Sequence, residues 1–156
     1  MMSDALSPTF SLSITPDPED IDELGHVSNL VYLRWVQDVA KAHSTAVGYD
    51  FEAYRAMGAA FVVRRHEIEY LRSALLGDRL VLRTWLASWK GASSVRMTSI
   101  VKMVGPSDVP DHEREVELAR ATTLWALVRF DSGRPLRIPD TLKQAFSRPL
   151  AGHSGS

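Results

Sequence analysis

The stretch Asp20-Ile21-Asp22-Glu23-Leu24-Gly25-His26-Val27-Ser28-Asn29 runs straight into Leu30-Val31-Tyr32-Leu33-Arg34-Trp35. Acids, a glycine, a histidine and two helix-capping residues crowd into one turn, and an apolar helix pattern follows at once. Ser28 or Asn29 is the expected cap. On a wheel at ~100° per residue, Val31, Tyr32, Leu33, Trp35, Val36, Val39, Ala40, Ala42, His43, Ala46 and Val47 share one arc of about 200°. Such an arc predicts a helix sunk against a sheet, with His43 as a satisfied core residue. The polar arc holds Arg34, Gln37, Asp38, Lys41, Ser44 and Thr45. Gly48 is a plausible stop.

Working outward, Thr9 to Thr15 alternates polar and apolar residues, as a short half-buried strand does. Pro16 and Pro18 end it. Downstream, Asp50 to Met57 reads as a short helix or loop ended by Gly58. Four stretches rich in Val, Leu, Ile, Thr, Trp and Tyr follow, at Ala60 to Leu71, Arg79 to Trp89, Val95 to Val104 and Glu115 to Phe130. They predict four strands. Leu76-Gly77-Asp78-Arg79 and Lys90-Gly91-Ala92-Ser93 are turn signals suited to antiparallel hairpins. Residues 105–114 read as a longer exposed loop, and Pro139 to Phe146 as a last short helix. The order is strand, long helix, four strands, which predicts an α+β domain with an antiparallel sheet. The later strands are apolar on both faces, as in Leu80-Val81-Leu82. A second copy of the chain is the expected cover for the outer face.

The 156 residues suit a single domain over residues 1–150, with a small polar tail at 151–156 expected to be disordered. Hydrophobic residues make up 45% and charged residues 24%, and the net charge is −1. That balance points neither to nucleic acid nor to an anionic membrane. The absence of cysteine excludes disulfides and a thiolate nucleophile, and is compatible with the cytoplasm. The first residues carry no basic and apolar signal pattern, and no run approaches the roughly 18 apolar residues of a membrane span.

The spacing Asp20-x-Asp22-x-x-Gly25-His26-Val27-x-Asn29-x-x-Tyr32 resembles the active-site signature of hotdog-fold thioesterases of the 4-hydroxybenzoyl-CoA and acyl-carrier-protein thioesterase type. Those proteins usually show Asn-Asn after Gly-His-Val, where this chain has Ser28-Asn29. The resemblance implies a hotdog fold, a curved antiparallel sheet wrapped around one long helix. It implies hydrolysis of an acyl-CoA or acyl-carrier-protein thioester in a homodimer or a dimer of dimers. Asp22 maps onto the family's essential carboxylate, acting as nucleophile or as general base for water. The N–H groups from Val27 through Ser28 to Asn29 become the oxyanion donors. Gly25 marks a close backbone approach or a positive φ.

Each of these residues also has a plainer reading. An acid before a helix favours its dipole, Gly25 serves any tight turn, and Asn29 caps. His26 can orient Asp22, place a water or simply face solvent. Asp20 supports the turn or is exposed to water. Tyr32, Trp35, Phe61 and Tyr70 can line an acyl pocket. His66 beside Glu67 is the nearest other acid–base pair, though strand residues are usually structural. Asp38 is the one acid well inside the helix, on its polar arc. Lys90, Arg96, Arg129, Arg134 and Arg137 are candidates for the CoA phosphates. No metal-ligand spacing, P-loop or dinucleotide fingerprint is present, so no cofactor is expected beyond coenzyme A as part of the substrate. Two rivals remain: a hotdog dehydratase or hydratase acting on carrier-bound acyl chains, and a non-catalytic acyl-CoA-binding domain.

Overall fold

A computed structural model describes residues 6–106 and 114–150. The tail at 151–156 and most of the loop expected at 105–114 lie outside the described residues. The elements are β1 (Phe10–Ile14), α1 (Asn29–Ala46), α2 (Phe51–Met57), β2 (Ala59–Tyr70), β3 (Arg79–Lys90), β4 (Ser93–Met103), β5 (Glu115–Arg129) and α3 (Asp140–Ser147). One single-turn 3-10 helix, Pro18–Asp20, precedes α1. All strand pairs are antiparallel and the sheet order is β1-β3-β4-β5-β2. This curved sheet packed on one long helix is the hotdog fold that the resemblance implies.

Residue chemistry explains the boundaries. Ser28 caps α1 by accepting the Leu30 N–H at 3.3 Å. Asp50 caps α2 by accepting from Ala53 at 2.9 Å, and Gly58 ends it at φ +80°, a left-handed value a glycine adopts without strain. Lys90 pairs with Ser93 across the two-residue loop Gly91-Ala92, the hairpin expected there. The other turn signal is corrected. Leu76-Gly77-Asp78-Arg79 does reverse the chain, with Asp78 accepting the Leu75 N–H at 2.8 Å. It does not join a hairpin, because β2 pairs with β5 at the sheet edge and β3 lies beyond β4. Turn chemistry specifies a reversal, and strand partners are chosen by the packing.

The buried face of α1 carries Val31, Tyr32, Trp35, Val36, Val39, Ala40, His43 and Ser44. The expected arc narrows at its end, where Ala46 is exposed and Ser44 turns inward. Against this face lie Phe10, Leu80, Leu82, Ile100 and Leu118, which with it form the main core. A second core of Ala59, Leu86, Leu127, Ile138, Leu142 and Phe146 forms under α3. On β4 the inward residues are Ser94, Arg96, Thr98 and Ile100, while Val95 and Met97 face outward and are half-buried. The outer face of β4 thus carries half-buried apolar residues, in line with the apolar character on both faces expected from the sequence.

Val39 is fully buried, whereas Lys41 is exposed. Val39→Asp should therefore cost ~3 kcal/mol or more in a denaturant titration, and Lys41→Ala no more than about 0.5 kcal/mol. Equal losses would refute this placement of α1.

Candidate active site

The loop before α1 is held from both sides. Ile21 and Val27 form an isolated antiparallel bridge. Inside it, the Asp22 N–H donates to the His26 carbonyl at 2.8 Å, and the Gly25 N–H to the Asp22 carbonyl at 3.1 Å. Gly25 sits at φ +84° with open space where a Cβ would stand. Its need is conformational, and no close approach restricts it. Asp20 is buried, accepting from Arg34 at 3.0 Å and from the Asp17 N–H at 2.9 Å. It supports the turn, as one of its two expected readings had it.

Asp22 is exposed at the tip of this turn. Its Oδ1 accepts the Leu24 N–H at 2.9 Å and the His26 N–H at 3.3 Å. Oδ2 has no partner among the described residues. The carboxylate is thus oriented by one oxygen and available through the other. His26 is also exposed and directs its backbone, rather than its ring, to Asp22.

Two of the three expected oxyanion donors are engaged elsewhere. The Val27 N–H donates to the Ala74 carbonyl at 2.9 Å and the Ser28 N–H to the Asp20 carbonyl at 3.0 Å. Both bonds are what brace the loop. The N–H of Asn29, first residue of α1, has no partner among the described residues. It stands at the positive end of the helix dipole.

Tyr32 is corrected from pocket residue to brace. It is buried, its Oη accepts the Ala74 N–H at 2.7 Å, and it donates to the Arg72 carbonyl at 3.4 Å. Trp35 is buried in the main core and packs edge-on against Tyr32. Tyr70 meets the helix start, donating to the Asn29 carbonyl at 3.3 Å. Leu24 in this turn, Leu30 in the first turn of α1 and Tyr70 beside Asn29 are exposed apolar residues.

A cavity of about 400 Å³ lies at the other end of α1. Its walls are Ala40 and Ser44 of α1, Phe51 and Tyr54 of α2, Phe61, Leu86, Trp89, Ser94, Arg96 and Trp125 of the sheet, and Phe146 of α3. At 1.5 Å per residue, Ala40 is about 16 Å along the helix from Asn29. Of the four aromatic residues proposed for a pocket, Phe61 lines this one. Arg96 departs most from its expected place among surface cations. It is 4% exposed and bonded through Nη1 to His43 Nδ1 at 2.9 Å and Thr84 Oγ1 at 3.0 Å. Burial lowers its pKa to about 10, which leaves it charged at neutral pH. Arginine only donates, so His43 Nδ1 supplies a lone pair and its proton sits on Nε2. Lys90 is exposed at the β3–β4 hairpin, Arg129 is exposed at the end of β5 opposite Ala59, and Arg134 and Arg137 are exposed beyond the sheet.

Residues 16–146 match the family model of the thioesterase-like superfamily. The chain belongs to this superfamily. It is 41% identical to the THEM6 protein of Danio rerio over 70 residues, which is 45% of this chain and 34% of that protein. The matched segment thus spans about a third of that relative's length. Two solved structures share the fold of this thioesterase-like chain. One is a mutant of 4-hydroxybenzoyl-CoA thioesterase with 4-hydroxybenzoyl-CoA bound, at TM-score 0.78 and 15% identity, covering 89% of this chain and 99% of that one. The other is the 1,4-dihydroxy-2-naphthoyl-CoA thioesterase of Synechocystis, at TM-score 0.75 and 17% identity, covering 89% and 96%.

His66 does not form an acid–base pair with Glu67, since strand alternation sends the two to opposite faces. Its Nδ1 meets Thr123 Oγ1 at 2.9 Å and its Nε2 lies 3.4 Å from the Gln37 amide. Burial pushes its pKa below the ordinary 6.5. A lowered histidine pKa contributes stability above the unfolded value, and that contribution is lost as pH falls through the folded value. Acidification from about pH 7.5 to about 5.5 should lower Tm more in the natural protein than in His66→Gln. An identical loss in both would remove this role.

Proposed function

We propose that the protein hydrolyses acyl-CoA, or acyl-carrier-protein, thioesters to a free acid and a thiol. The observation that carries this is the Asp22 carboxylate, pinned through Oδ1 with Oδ2 open among the described residues, in the loop that leads into α1, whose first N–H, at Asn29, has no partner among those residues. Superfamily membership supports the reaction class. Oδ2 takes a proton from water as the water attacks the thioester carbonyl, or attacks that carbon itself to give an anhydride that water then cleaves. The developing oxyanion meets the Asn29 N–H and the helix dipole. The thiolate leaves without needing a strong acid beside it. Coenzyme A enters only as part of the substrate, and the route calls for no metal.

The site works as a homodimer in this reading. β2 is a 12-residue edge strand with an open flank. Its first residues line the cavity, through Ala60 and Phe61, while its last, Tyr70, touches the helix start. Antiparallel pairing of β2 with a second β2 about a two-fold axis sets the Asp22 turn of one subunit beside the cavity of the other. Acid chemistry and acyl pocket, at opposite ends of α1 within one chain, then meet. Pairing of the half-exposed outer faces would give the dimer of dimers.

Light scattering at micromolar concentration should report at least a dimer, and a clean monomer would remove the shared site. Asp22→Asn keeps an acceptor oxygen for the Leu24 and His26 N–H groups, so the turn should survive. It removes the charge and the proton-accepting ability. kcat on acyl-CoA should fall by ~10² to 10⁴ or more while binding persists. Near-natural turnover in this variant, with thiol release trapped across aromatic, short, medium and long acyl-CoAs, would overturn the role of Asp22.

A further inference from the structure

The cavity walls combine an apolar lining with polar groups that the described residues leave unsatisfied. Arg96 spends Nη1 on His43 and Thr84, and its Nε and Nη2 have no hydrogen-bond partner among the described residues. No carboxylate among the described residues pairs with it. The other charged groups on the walls are Lys41 and Asp50, both exposed, and Asp50 is occupied in capping α2. The Ser94 hydroxyl and the Trp125 indole N–H are buried without a partner. Ser94 is two residues from Arg96 on the same face of β4, and Trp125 is its direct neighbour on β5. Both line the cavity with Arg96.

These groups share one character, since guanidinium and indole only donate and a hydroxyl can donate. A buried cation without a counter-charge is costly, and unsatisfied buried donors are costly too. One planar anion with several lone pairs would satisfy them together. The remaining wall, with Phe61, Leu86, Trp89 and Phe146, suits methylenes or a ring. A volume of about 400 Å³ is within the range of small-ligand sites.

We propose that this cavity receives an acyl group whose far end carries a carboxylate, so that the substrates are mono-thioesters of medium-length dicarboxylic acids. Arg96, Ser94 and Trp125 hold the distal carboxylate, and the apolar wall holds the chain between it and the thioester. Positive charge on Arg96 at neutral pH agrees with this. The inference rests on the thioesterase reading and names the substrate class for it.

The test compares suberoyl-CoA with octanoyl-CoA, which differ only in the distal carboxylate, and separately measures binding of free suberate and free octanoate by calorimetry. The natural protein should favour suberoyl-CoA by about tenfold or more in kcat/KM, as a charge-assisted hydrogen bond implies. Suberate should bind at least about tenfold tighter than octanoate. Arg96→Met should abolish both preferences. Should that variant fail to fold, Trp125→Phe, which removes only the indole donor, should reduce the preference several-fold. Equal or better turnover of octanoyl-CoA, together with no selective binding of suberate, would overturn the inference and leave the thioesterase reading standing. Selective suberate binding without hydrolysis of either thioester would do the reverse.

Discussion

The burial of α1 against the inner face of the sheet is the constraint on which both ends of the molecule depend. Val36 and Val39 sit at its centre with almost no exposure. That packing makes the helix a rigid rod, and its two ends become fixed points. At the start, Arg34 reaches back to buried Asp20, and Tyr32 holds the Ala74 backbone, whose carbonyl in turn holds Val27. The loop bearing Asp22 is therefore shaped by bonds from core residues Tyr32 and Ala74 and from the exposed Arg34 on buried Asp20. At the far end, His43 packs face-on against Phe10 and edge-on against Phe146 while receiving Arg96.

Bracing and chemistry compete for the same backbone groups at the helix start. Four N–H groups open every helix, and a signature rich in capping residues marks where they are without telling which stay open. Here two of the residues just before α1 give their N–H groups to carbonyls that hold the loop, and Asn29 keeps its own. The carboxylate divides in the same way, with one oxygen for structure and one for solvent. The turn thus leaves one donor, the Asn29 N–H, and one acceptor, Asp22 Oδ2, without a partner among the described residues.

The sheet interior shows how polarity was redistributed. Hydrophobic alternation in β4 would turn Val95 and Met97 inward, yet Ser94, Arg96 and Thr98 occupy the inside. Within this row Arg96 bonds His43 and Thr84 and Thr98 meets Thr84, whereas the Ser94 hydroxyl has no partner among the described residues, which is the exception a buried polar group rarely makes. The reversed strand and the half-exposed apolar outer face are one fact. The residues that would make the better core are spent on the outside, where a second layer can cover them.

The sequence by itself determined the long helix, its cap within one residue, the five strands nearly to their ends, the Lys90 to Ser93 hairpin and the turn that presents Asp22. These follow from local periodicity and from the capping and turn chemistry of neighbouring side chains, which act over a few residues. Tertiary structure alone decided the strand order, which N–H groups stay open, that Tyr32 braces instead of lining a pocket, and that Arg96 is buried. Each of these depends on residues distant in the chain: Ala74 on Val27, His43 and Thr84 on Arg96, β5 lying between β4 and β2. Alternation reports that a strand has two faces. Which face turns inward is settled by the free energy of the whole packed sheet, including any ligand or partner that satisfies it.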